Sequence, residues 1–166
     1  MVKNYEWQRY WYKDENSPHI IDGFLYVHEY SKSVFSLDST LDIPCLVLRG
    51  EPGMGKSREI ERIYETQIVN ENNEKLYFPL SSYGDENRLV KDIFYSDKIN
   101  KWKEGSSNLY LFLDGLDEAL VSINHLALTL ADEIDKLPKE RLFLRIACRT
   151  AECSNLSVLE NKLKDI

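Results

Sequence analysis

Gly50-Glu51-Pro52-Gly53-Met54-Gly55-Lys56-Ser57 directly follows the apolar run Cys45-Leu46-Val47-Leu48 and its Arg49, and opens a segment with helical spacing. The octet fits G-x-x-x-x-G-K-[ST], the pattern of a phosphate-binding loop. Each residue type has a physical reason. Glycines let the backbone curl until successive N–H groups converge on an anion. A helix that begins at Lys56 directs the positive end of its dipole to the same point. The Lys56 ammonium is then expected to reach the β- and γ-phosphate oxygens of a nucleotide, and the Ser57 hydroxyl to ligate Mg²⁺. Gly50, Glu51, Pro52, Gly53, Met54, Gly55, Lys56 and Ser57 are therefore the candidate nucleotide-binding residues. The plainer alternative is a glycine-rich turn that fits by chance. The strand run before the loop and the amphipathic segment after it argue against that alternative.

Outward from the loop, short apolar runs alternate with helical patterns. Lys56 to Val69 places Ile60, Ile63, Tyr64 and Ile68 on one helix face. Lys75 to Leu80, Leu109 to Leu113 and Leu142 to Ala147 read as strands. Asp85 to Tyr95 reads as a short helix with Asp85 as its cap. Ala119 to Leu137 reads as one long helix, apolar at Leu120, Ile123, Ala127, Leu130, Ile134 and Leu137, and ended by Pro138. A last helix is expected over Leu156 to Leu163, and loops over Lys13 to Pro18 and Asn70 to Glu74. Uninterrupted apolar strands joined by helices predict an α/β fold with a parallel sheet and right-handed crossovers.

The chain has 166 residues, of which 43% are hydrophobic, enough for one sizeable core. Residues 1–40 are aromatic-rich and weakly periodic, and are read as a segment leading into the main domain, residues 41–166. A net charge of -7 disfavours a protein that grips a nucleic-acid backbone. Cys45, Cys148 and Cys153 have neither the number nor the spacing of a disulfide framework or a zinc site. His19, His28 and His125 are scattered. No apolar stretch approaches the roughly 20 residues needed to span a bilayer, and Met1 to Glu6 lacks the apolar core of a signal peptide. The expectation is a reduced, cytoplasmic chain without a membrane partner.

A phosphate loop with Mg²⁺ needs an acidic residue at the end of another strand. Asp114 stands at the end of Leu109 to Leu113, followed by Gly115-Leu116-Asp117-Glu118. Asp114 is the candidate Mg²⁺ ligand beside Ser57. Glu118 is the first candidate for polarising an attacking water and Asp117 the second. Both acids could instead serve only the positive end of the following helix.

The octet GEPGMGKS together with LFLDGLDE, residues 111–118, resembles the NACHT branch of the STAND signal-transduction NTPases. That branch has a small residue after the Mg²⁺ aspartate and further acids just beyond, matched here by Gly115, Asp117 and Glu118. More narrowly, Arg9-Tyr10-Trp11 and RIACRTAE, residues 145–152, look like large bacterial proteins of this type, several of them implicated in antiphage defence. The resemblance implies a P-loop NTPase core of the additional-strand type, with strand order 5-1-4-3-2. It also implies an ATP-dependent switch, with ATP and Mg²⁺ as cofactors. Arg149 falls where the family carries a sensor arginine at a strand end, and a guanidinium there can sense a γ-phosphate. Its plainer role is an ion pair with Glu152 or another acid. Arg145 receives no role.

Trp7, Tyr10 and Trp11 could cover an adenine ring or pack against the sheet. His125 reads as an ordinary helix residue. Since the family is long, the lid, sensor repeats and effector are expected to lie outside this chain, which is read as C-terminally truncated. The phosphate-loop strand is then left at a sheet edge unless residues 1–40 shield it. Marginal stability or self-association, weak ATP binding and slow turnover are the corresponding expectations. Two other functions fit the sequence: a small P-loop kinase acting on a metabolite, and a core that acts only through protein contacts.

Overall fold

The computed structural model describes residues 10–13, 20–24, 34–66, 73–123, 125–149, 159 and 163. Its centre is a block of four parallel strands: β4 (Cys45–Arg49), β5 (Glu74–Pro79), β6 (Leu109–Asp114) and β7 (Leu142–Cys148). In space they run β4-β7-β6-β5. All four were expected from their apolar runs. Burial on both faces explains why the runs are so continuous. Cys45 and Val47 enter one core while Leu46 and Leu48 enter the other, and Leu144, Ile146 and Cys148 alternate with Arg145 and Ala147 in the same way.

Residues 1–40 contribute more regular structure than their weak periodicity suggested. They supply β1 (Tyr10–Lys13), β2 (Ile20–Phe24) and β3 (Val34–Phe35), then a 3-10 turn over Leu37–Thr40. The full seven-stranded order is β3-β1-β2-β4-β7-β6-β5. β2 pairs with β4 in parallel, Ile20 opposite Val47 and Asp22 opposite Arg49, so the phosphate-loop strand is not an edge. β1 joins β2 and β3 antiparallel. Covering an apolar strand in this way removes an invitation to pair with another chain. Trp11 is 1% exposed and belongs to the core formed with Leu46, Leu48, Ile60, Ile63 and Phe112. It therefore packs against the sheet and cannot cover an adenine ring. Trp7 lies outside the described residues.

Among the described residues, five helices with full ranges flank the sheet. α1 (Lys56–Thr66) packs on the Trp11 side through Ile60 and Ile63. α2 (Glu86–Phe94), α3 (Asp97–Glu104), α4 (Leu116–Ser122) and α5 (Leu126–Asp135) contribute to the other core. Asp85 caps α2 as expected, its side chain accepting from the Arg88 N–H. α3 was not anticipated, because only Ile99 and Trp102 mark its buried face. Ser96 caps its start, and Arg141 stacks over the Trp102 ring while donating to the carbonyls of Trp102, Lys103 and Ser107.

The single helix expected over Ala119 to Leu137 is two helices. Ile123 is extended and His125 adopts a left-handed conformation with φ 67, which no continuing α-helix accommodates. Ile123 and Leu126 still bury on the same side, so the apolar periodicity survives the break. Of the last expected helix, Leu159 and Leu163 are described; both are helical and buried in the α2–α5 core. Residues 67–69 and the Lys13–Pro18 loop beyond Lys13 lie outside the described residues.

Two arginines hold the turn before β4. Arg62 on α1 forks between Glu59 and Asp38, with Nη2 at 2.8 Å from each carboxylate. Arg145, 2% exposed inside β7, donates to the carbonyls of Thr40, Leu41, Pro44 and Leu144. Arg145 thus has a structural role that its sequence context did not suggest.

Cys45 is a free, fully buried thiol, pushed up to about 12 by desolvation. It is protonated at neutral pH and shielded. Alkylation by iodoacetamide, read by mass at the Cys45 peptide, is expected to be at least about 100-fold faster after unfolding than in the native protein. Cys148 is disulfide-bonded, which the expectation of a reduced chain did not include. Among the described residues no helix is long and apolar enough to cross a membrane.

Candidate phosphate-binding site

The candidate site lies beyond the carboxyl ends of β4, β6 and β7, where open parallel sheets place their ligands. Gly50 follows β4, Asp114 ends β6 and Arg149 follows β7. Parallel pairing forces all three to the same edge of the sheet. The loop from Gly50 to Gly55 turns tightly, the Met54 N–H donating to the Glu51 carbonyl at 3.3 Å. Gly53 and Gly55 have φ of 82 and 83, which L side chains rarely adopt. A Cβ on Gly53 would meet nothing within 4 Å, so its requirement is conformational rather than steric.

Glu51, Pro52, Gly53 and Ser57 are exposed, and Met54, Gly55 and Lys56 half-buried. The Lys56 ammonium donates to the carbonyls of Gly50 at 2.6 Å and Glu51 at 3.1 Å, which holds it over the loop. Desolvation lowers its pKa, opposed by the nearby charges of Asp117, Asp114 and Glu51, with Arg149 acting in the same sense as burial. The chain therefore brings the loop lysine, two of the predicted acids and the predicted sensor arginine within electrostatic reach of one another.

The three acids differ in environment. Asp114 is 7% exposed. Its Oδ2 accepts from the Tyr77 hydroxyl at 3.1 Å, while its buried Oδ1 has no hydrogen-bond partner among the described residues. Asp117 is buried; its Oδ1 accepts from the Arg149 backbone N–H at 3.0 Å, and its Oδ2 forms an ion pair with Nε at 2.8 Å. Glu118 is half exposed and only grazes Arg149 Nη2 at 3.4 Å. Arg149 thus pairs with other acids, Asp117 and Glu118, while Glu152 lies outside the described residues. Gly115, with φ 73, makes the turn from Asp114 into α4; a Cβ there would sit 3.8 Å from the Glu118 carboxylate and from Ser81.

Asp114 offers one buried acceptor to the expected magnesium ion. A buried carboxylate oxygen without a donor is costly to keep, and a cation or its bound water satisfies it. Among the described residues no group of three or more His, Cys, Asp or Glu side chains could hold a metal on its own. Asp114 and Ser57 are the residues that would hold the magnesium ion, and it would supply charge neutralisation between β- and γ-phosphates.

Tyr77 was not among the candidate residues. It lies on β5, outside both motifs, and only the strand register brings it near Asp114. The chain matches no protein-family model, no curated protein and no solved structure.

Proposed function

We propose that this chain is an ATP-binding, ATP-hydrolysing switch module of the NACHT-like STAND kind, acting in bacterial signalling such as antiphage defence. The observation that carries the reading is the convergence of Lys56, in a glycine-turned loop at the start of α1, with Asp114, Asp117 and Arg149 from two other strand ends. The position of β7 between the phosphate-loop strand β4 and the Asp114 strand β6 supports the additional-strand type of P-loop core.

In this reading the loop N–H groups and the Lys56 ammonium take the β- and γ-phosphates, and Asp114 and Ser57 take Mg²⁺. Glu118 orients the attacking water. Asp117 is a poorer candidate for that role than its sequence position suggested, because both its oxygens are engaged by Arg149. Arg149 is the switch element. A γ-phosphate competes with Asp117 and Glu118 for its guanidinium, so the end of β7 and the start of α4 respond to the nucleotide's charge. A kinase reading lacks an observed cluster of arginines for an acceptor phosphate.

The test is phosphate release from ATP without added acceptor. Glu118→Gln is expected to leave ATP affinity within about threefold and to lower single-turnover hydrolysis by roughly 100-fold or more. Undiminished hydrolysis in that variant would remove Glu118 from the mechanism. Phosphate transfer seen only when a small-molecule acceptor is supplied would favour the kinase.

A further inference from the structure

The geometry points to Tyr77 as the positioning residue that aims Asp114 at the metal, an inference that rests on the Mg-ATP reading above. Asp114 ends β6, and Tyr77 sits on the neighbouring β5, two residues before Pro79, the register partner of Asp114. The phenol therefore rises along the sheet toward the carboxylate instead of lying beside it. Its hydroxyl donates to Oδ2 at 3.1 Å, and Oδ1 remains buried with no partner among the described residues.

These two facts are one arrangement. A carboxylate buried to this degree can rotate about its last bond unless one oxygen is held. The Tyr77 hydroxyl holds Oδ2, which leaves Oδ1 as the oxygen available to Mg²⁺ or to a water of its shell. Outer donors of this type fix the orientation of a metal-binding side chain and contribute to metal affinity without touching the metal.

Tyr77 is itself well fixed. Its ring lies 5.5 Å from that of Tyr64 on α1, tilted by 37°, and Tyr64 in turn meets Phe112 of β6 edge-on at 5.6 Å. The helix that carries Tyr64 begins at Lys56. The same aromatic group thus joins the strand that ends in the metal aspartate to the helix that begins in the phosphate loop.

The arrangement makes a specific claim about Tyr77→Phe. The phenylalanine keeps the ring, and with it the contact to Tyr64, and removes only the donor. The full chain is titrated with a fluorescent ATP analogue, once in EDTA and once at fixed nucleotide with increasing Mg²⁺. In the variant, affinity in EDTA is expected to match the parent, because the loop and Lys56 are untouched. The Mg²⁺ concentration for half-maximal enhancement is expected to rise about tenfold. Mn²⁺ bound to the nucleotide complex, followed by electron paramagnetic resonance, is expected to show the same loss of affinity.

Asp114→Asn supplies the control. If Tyr77 acts through Asp114, adding Tyr77→Phe to that variant produces no further change in the Mg²⁺ requirement. A purely structural tyrosine would lower nucleotide affinity equally with and without Mg²⁺, and would add its effect to that of Asp114→Asn. Either result overturns the inference while leaving the nucleotide site in place, as does a Mg²⁺ requirement unchanged from the parent. A parent chain that binds no nucleotide in either condition overturns the Mg-ATP reading, and Tyr77's role with it.

Discussion

Lys56→Ala is expected to weaken Mg-ATP binding by roughly 100-fold, the loss of an ion-assisted hydrogen bond worth about 3 kcal/mol. The ammonium sits at 2.6 Å from the Gly50 carbonyl, with Asp114 and Asp117 close enough to influence its charge. Without it the doubly charged end of the nucleotide faces two carboxylates in a partly desolvated loop, so attraction becomes net repulsion. The fold is expected to persist. The loop's shape depends on Gly53 and Gly55, and α1 is anchored by Ile60 and Ile63 and by the Arg62 fork, none of which involves the lysine side chain. Circular dichroism and thermal melting of the variant, compared with the parent, check that the loss is one of binding.

The second large effect is on stability. Arg145→Met is expected to cost about 3 kcal/mol, read as a lower urea midpoint at unchanged slope. Arg145 is 2% exposed and its fork reaches the Thr40 carbonyl at 2.8 Å, the Leu144 carbonyl at 2.9 Å and the Leu41 carbonyl at 3.2 Å. Methionine fills much of the volume but leaves the Leu41 and Leu144 carbonyls without this donor. The turn Leu37–Thr40 leads directly into β4, so the loosened segment is the one that positions the phosphate loop. Arg145→Lys keeps the charge but supplies a single point of donation in place of a planar fork, and is expected to recover only part of the loss.

Two features of the chain were legible before its structure. The parallel block was visible because each of its strands is buried on both faces, which leaves runs such as Leu109 to Leu113 without a polar interruption. The glycine-rich loop and Asp114 stood out as a motif of fixed spacing, and the sheet places the loop, with its turns at Gly53 and Gly55, and the acid at the same edge.

What escaped the sequence depends on long-range contacts. β1 to β3 are two to five residues long and owe their existence to pairing with one another and with β4, not to an internal apolar pattern. The break at His125 preserves the period of its helices, so Leu126, Leu130 and Ile134 read as a continuation. α3 buries only two side chains. The Arg145 role had a usable signal: a guanidinium inside an otherwise apolar strand must find acceptors, and carbonyls of a neighbouring turn are the nearest supply. Asp117 and Glu118 are adjacent and chemically alike, and only folding separates them, by burying Asp117 and pairing it more closely with Arg149. Tyr77 had no signal at all, since nothing in one strand announces which residue of the next lies beside it.

The Arg149 contacts also shape the switch. Asp117 holds the guanidinium by Nε and the backbone by the N–H, so the side chain is oriented even though it is 45% exposed. Its Nη2 meets Glu118 at 3.4 Å, a long contact that a stronger anion can displace. In the proposed reading ADP lacks the γ-phosphate that would draw Arg149 from the carboxylates, so the two nucleotides are expected to act differently on the link between β7 and α4.

The central claim is that Gly50 to Ser57 binds the phosphates of ATP. Isothermal titration of the chain with ATP, with and without Mg²⁺, alongside Lys56→Ala, tests it most directly. The account predicts saturable binding near one nucleotide per chain, strengthened by Mg²⁺ and reduced roughly 100-fold in a variant that melts like the parent. Absence of binding at millimolar Mg-ATP, or equal affinity in parent and variant, would contradict it.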